Sequence, residues 1–122
     1  MTPELADTLQ RLDLIYLKHR GRKSGEEYEA ELSFASDDAA VYLLAHLEDG
    51  LLPDWLANIV ATGEALFHAG VRLLKGTPEL LDAEWIQRVE AMFRAKYGAE
   101  VVRKWYEGAP QVAVRLHDIE LA

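Results

Sequence analysis

HRGRKSGEEYEAELSFAS, residues 19–36, changes character at its midpoint. The first half sets His19, Arg20, Arg22 and Lys23 around Gly21 and Gly25. The second half alternates strictly, with Tyr28, Ala30, Leu32 and Phe34 facing one way and Glu27, Glu29, Glu31 and Ser33 the other. A period of two with one apolar side is a strand with one face in the core and one in water. The preceding LDLIYLKH, residues 12–19, is rich in strand formers, and the two glycines permit the reversal between them. The stretch predicts an antiparallel hairpin folded about a basic turn.

Working outward, Thr2 caps and Pro3 opens a short amphipathic helix over Pro3–Arg11, with Leu5 and Leu9 on its apolar side. Past the hairpin, SDD marks a second turn, and AAVYLLAH, residues 39–46, is a strand so apolar that a central place in the sheet is expected. A helix starts at Pro53 or Asp54 and ends at Gly63. EALFHAGVRLLKGTPEL, residues 64–80, holds two strands about Gly70. Residues 82–98 form the clearest helix, capped by Asp82, striped by Trp85, Val89, Met92 and Phe93, and closed by Gly98. AEVVRKWYEG is a further helical piece, and PQVAVRLHDIEL ends the chain as a strand. About six antiparallel strands with late helices predict an α+β fold, a barrel or half-barrel, rather than an alternating βαβ sheet. Residues 1–122 read as one domain.

The net charge of −8 disfavours nucleic acid and anionic membranes as partners, yet leaves room for one local cationic site. Cysteine is absent, which excludes disulfides, thiolate metal sites and cysteine catalysis. No apolar run reaches the roughly 18 residues of a membrane span. MTPELADTLQ lacks a signal pattern, so a cytoplasmic protein is expected. His19, His46, His68 and His117 show no ligand spacing, and no metal is expected. The chain contains no GxSxG, P-loop or GxGxxG, and no catalytic acid or base stands out. Two readings of the basic turn stay open: a phosphate or carboxylate grip, or a solvated charged hairpin. Trp55, Trp105 and Tyr106 are either a platform for a planar ligand or plugs at the barrel ends.

The order GRKSG at 21–25, Leu32 and Phe34, DDAAVYLLAH at 37–46, then PDWLANI at 53–59 resembles the deazaflavin-dependent nitroreductase family. That family is a branch of the flavin-binding split β-barrels related to pyridoxamine 5'-phosphate oxidase. Gly21 to Gly25 match its first motif without a gap, and Pro53, Trp55 and Asn58 match its second, with Leu56 in place of a tyrosine. The resemblance implies a six-stranded split β-barrel, a deazaflavin coenzyme or FMN as cofactor, and hydride transfer to a small quinone or nitro-type acceptor. It implies that Arg22, Lys23, Ser24 and Gly25 hold the cofactor's anion, that His46, Trp55 and Asn58 lie along it, and that Tyr97 stands over the substrate. Such barrels commonly form homodimers. The chain departs from the family at Glu48 and Asp49, where a glycine-rich phosphate loop is usual, and at Tyr28 and Glu31, which replace an arginine and a proline. Glu48 and Asp49 favour the alternative, a divergent split-barrel domain without redox activity that binds another small ligand or itself, while GRKSG favours the first reading.

Overall fold

The hairpin forms about the basic turn. β1 (Leu14–Arg20) pairs antiparallel with β2 (Glu27–Ser33), in register from Arg20 opposite Glu27 to Leu14 opposite Ser33. The computed structural model describes residues 1–106 and 111–122. The ends of two expected elements, at Glu107–Gly108 and Pro110, lie outside the described residues. After the hairpin come β3 (Ala35–Ser36), β4 (Val41–His46), α2 (Asp54–Thr62), β5 (Ala65–Ala69) and β6 (Arg72–Leu80). Then follow α3 (Glu84–Tyr97), α4 (Ala99–Tyr106) and β7 (Gln111–Leu121), while α1 (Pro3–Arg11) precedes the hairpin.

The seven strands of the described residues join one antiparallel sheet in the order β2-β1-β5-β6-β7-β4-β3. β2 and β3 occupy opposite edges, yet only Phe34 separates them in the chain. In a flat sheet of this width the edges would stand about 29 Å apart at ~4.8 Å per strand. One residue spans at most about 3.5 Å. The sheet therefore curls until its edges approach, giving a half-barrel with helices in an α+β arrangement. The expected count of six strands is corrected to seven: the strand expected over 27–36 breaks at Phe34, where the chain crosses from one edge to the other.

Two cores follow from the curl. Ile15, Leu17, Phe34, Leu43, Phe67, Leu74 and Leu116 fill one side of the sheet with Leu5 and Leu9 of α1. Tyr42, Leu44 and Ala113 meet Val89, Phe93 and Val102 of α3 and α4 on the other. β4 is thus dry on both faces, which is why it reads as uniformly apolar. The expectation that it is central is overturned, because it lies next to the two-residue edge strand β3. A second correction concerns α3, which starts at Glu84 behind Ala83 with no side-chain cap, so Asp82 does not cap it. α1 keeps its Thr2 cap, whose hydroxyl accepts the Leu5 N–H at 3.2 Å, and Gly63 ends α2 in the left-handed region (φ 75°). No helix among the described residues is long and apolar enough to cross a membrane.

Candidate functional site

Most of the predicted residues gather in two clefts that share α2, while Gly25 and Tyr97 line neither. At the basic turn, the Gly21 N–H donates to the Glu26 carbonyl and the Gly25 N–H to the Gly21 carbonyl, both at 2.8 Å, with Gly25 at φ 74°. The Ser24 hydroxyl oxygen accepts the Glu26 N–H at 3.2 Å. The N–H groups of Lys23 and Ser24 find no acceptor among the described residues, and the Lys23 ammonium joins no ion pair there. Arg22 is differently placed. Its guanidinium donates to Asn58 Oδ1 at 2.9 Å and to Asp54 at 3.4 Å, and its backbone N–H donates to Asn58 Oδ1 at 3.2 Å. Asn58 Nδ2 reaches His19 Nδ1 at 2.9 Å, and the His19 ring stacks on Tyr28 with centroids 5.5 Å apart. These residues line a cleft of about 420 Å³ with Lys23, Ser24 and Asp54. It adjoins a larger one of about 530 Å³ that shares His19, Tyr28 and Asn58.

His46 and Trp55 belong to a second cleft of about 410 Å³, walled by Trp105 and Tyr106 and bordered by Glu31 and Glu48. His46 donates from Nε2 to the Trp105 carbonyl at 2.9 Å and stacks on Tyr106 at 5.0 Å. Burial pushes the Tyr106 phenol up to about 12, with Tyr97 and Glu90 adding to the shift, so it stays a neutral wall and donor. The segment after β4 is a tight reversal. Asp49 and Gly50 both have positive φ (51° and 76°), and the backbones of Glu48 and Leu51 exchange hydrogen bonds. Two residues at positive φ make this a primed hairpin turn rather than an open phosphate loop.

Tyr97 lines neither cleft. Its hydroxyl accepts the Phe34 N–H at 3.0 Å and donates toward the carbonyls of Asp13 and Phe34 at 2.6 and 2.9 Å. Lys96 joins it there. Its ammonium donates to the Phe34 carbonyl at 2.9 Å and stands 3.4 Å from the centre of the Phe34 ring. The two residues secure the backbone where the sheet changes edges. His19 and Asp54, the partners that order the turn, escape a reading by spacing because they meet only when α2 packs on β1. Among the described residues no cluster of acidic or histidine side chains could hold a metal.

A curled antiparallel sheet whose edges meet at one residue, with a basic hairpin turn and an aromatic cleft beside the helix after β4, defines a protein of the split β-barrel class. The chain belongs to the family described as F420H(2)-dependent quinone reductase, whose profile matches residues 2–116. No curated protein matches it by sequence. Among solved structures, the chain is similar to an F420-H2 dependent reductase, FDR-A, at 17% identity and TM-score 0.62, over 84% of this chain and 93% of that one. It is similar to HutZ, the heme storage protein from Vibrio cholerae, at 13% identity and TM-score 0.65, over 98% and 92%. A structure described as a domain-swapped dimer matches at 16% identity and TM-score 0.65, over 86% and 80%. At such identities these likenesses concern the fold.

Proposed function

We propose that the chain binds a reduced deazaflavin coenzyme and presents it to a small electron-poor acceptor, a quinone or nitro-type compound. The observation that carries this reading is the placement of both clefts on α2. Asn58 anchors the basic turn and Trp55 walls the aromatic cleft, three positions apart on one helix. Residues so spaced stand about 5–6 Å apart at Cβ, so one elongated ligand with a planar head and an anionic tail reaches both clefts. The residues fit such a group. The Lys23 ammonium, the Ser24 hydroxyl and the open N–H groups of Lys23 and Ser24 suit an anion. His46, Trp55, Trp105 and Tyr106 suit a flat ring system. Glu31 and Glu48 on the aromatic cleft favour one direction, since their carboxylates repel the anionic tail, whereas Arg22 offsets Asp54 at the basic turn. The coenzyme, when bound, supplies the hydride chemistry, and the protein supplies orientation, electrostatics and exclusion of water. A homodimer in solution accompanies this reading.

Titration with the deazaflavin coenzyme and with FMN tests it. The expected result is a deazaflavin Kd below ~100 µM, about −5.5 kcal/mol, with quinone reduction by the reduced coenzyme. Lys23→Ala weakens binding roughly tenfold, about 1.4 kcal/mol. Tighter binding of FMN would make the chain a plain flavin protein. If neither ligand binds, the second reading takes over: a split barrel without redox activity, favoured by Glu48 in the cleft and by the engagement of Arg22 with Asp54. Light scattering reports the mass in solution, and a monomer would remove the dimer from the proposal.

A further inference from the structure

Asn58 is buried to 3% exposure, alone among polar side chains of the described residues, and its hydrogen bonds run in one direction. The amide oxygen receives two donors from Arg22, the backbone N–H and Nη1. Neither can accept, so the oxygen end of the amide faces Arg22 and the NH₂ end faces His19. An amide NH₂ only donates, so His19 Nδ1 must accept, and the neutral ring carries its proton on Nε2. Turning the amide over would set its NH₂ against both donors of Arg22. Every polar atom in the chain from His19 through Asn58 to Arg22 is therefore assigned by its neighbours.

We propose that Asn58 and His19 are positioning residues for the basic turn: they hold Arg22, and through it the Gly21–Gly25 backbone, in the anion-receiving shape only while His19 is neutral. This rests on reading that turn as the anion end of the site. The groups around His19 come from four elements. α2 presents Asn58 and Asp54, β2 presents Tyr28, Glu27 and Glu29, the turn presents Arg22 and Lys23, and β1 itself carries Lys18 and Arg20; Glu64 closes the adjoining cleft. Burial lowers the His19 pKa below its ordinary 6.5, against the attraction of Asp54, which keeps the ring neutral at pH 7. Acidification places an N–H on Nδ1 directly against the Asn58 NH₂. The new charge on His19 would by itself favour an anion, but it shares its surroundings with the carboxylates of Asp54, Glu27 and Glu29 and is offset by them. The opposed donors sit on a buried side chain and are not. The anion affinity of the turn therefore falls on acidification.

The test uses the ligand-free protein first. In an NMR titration over about pH 5 to 8, the Arg22 backbone amide is expected to shift with the midpoint of the His19 ring, and this transition vanishes in His19→Phe. Asn58→Asp keeps the shape of the side chain and offers two acceptors, so the His19 midpoint moves up by about a unit or more. Binding of sulfate, which stays a dianion across this range, is then expected to weaken several-fold as the pH falls from about 7.5 to 5.5. In His19→Phe that dependence is lost. An Arg22 amide that ignores the titration of His19 overturns the proposal, and so does sulfate affinity that rises on acidification, which would make His19 a direct anion ligand. If sulfate and the coenzyme bind at no pH while the Arg22 amide still follows His19, the positioning link stands and the reading of the turn as an anion site fails.

Discussion

The basic turn and the corner at Phe34 are built alike and face different surroundings. Each interrupts the regular ladder of the sheet, and each is held by a polar side chain reaching from a helix, Asn58 from α2 and Tyr97 from α3. The turn opens on a cleft, and Lys23 and two N–H groups there have no partner among the described residues. At the corner, Tyr97 and Lys96 are consumed by the backbone of Phe34, whose side chain is fully buried. The family resemblance offered both Asn58 and Tyr97 as site residues. The two contacts differ in the openness of the place each side chain reaches, and spacing does not report that.

The widest break in this comparison comes from Asn58→Ala, which strands the donors of Arg22 and the acceptor of His19. Urea unfolding should show a loss of about 2–4 kcal/mol. A loss well under 1 kcal/mol would mean that α2 does not hold the turn. Next, Tyr97→Phe should cost about 1–2 kcal/mol of stability and leave coenzyme affinity unchanged. The reverse pattern would move Tyr97 from the corner to the ligand.

Lys96 tests the corner through pH. Burial brings its pKa from 10.5 down to about 8, against the attraction of Asp13. Between those values the folded protein binds fewer protons than the unfolded chain, so stability rises with pH. The contribution is fully present above 10.5 and is lost as pH falls through about 8. Lys96 is only half-buried, so solvent screening reduces the expected gain to about 1 kcal/mol. Unfolding measured from about pH 8 to 9.5, below the range where tyrosines ionise, should show this rise, and Lys96→Met should flatten it. The smallest effect belongs to the aromatic cleft. Glu48→Gln should tighten coenzyme binding about two- to threefold, and added salt should shrink that difference. No change would place the anionic tail far from Glu48.

The hairpin was legible because alternation and paired glycines are local signals, and the same holds for α1 and for the end of α2 at Gly63. The break at Phe34 was not, since Tyr28 to Phe34 keeps its period while the chain leaves one sheet edge for the other. The apolarity of residues 41–45 was read correctly as burial and wrongly as centrality; two covered faces produce the same composition at the margin of a sheet as in its middle. The aromatic cleft joins His46 and Trp55 to Trp105 and Tyr106, and that meeting depends on the pairing of β4 with β7, where His46 faces Gln111. No local pattern carries such a contact. The motif GRKSG marked the turn, but the arrangement within it, with Arg22 held by Asn58 and Asp54, is set by α2.

β2 lies at an edge of the sheet, so one side of its backbone has no neighbouring strand among the described residues. Glu27, Glu29 and Glu31 stand along it at every second position, all exposed. Two molecules meeting antiparallel at this edge would bring carboxylate against carboxylate along its length, which discourages the open-ended growth that bare strand edges invite. The row of acids thus guards the molecule against joining its own copies edge to edge, and replacing all three by glutamine should bring on clouding of a concentrated solution.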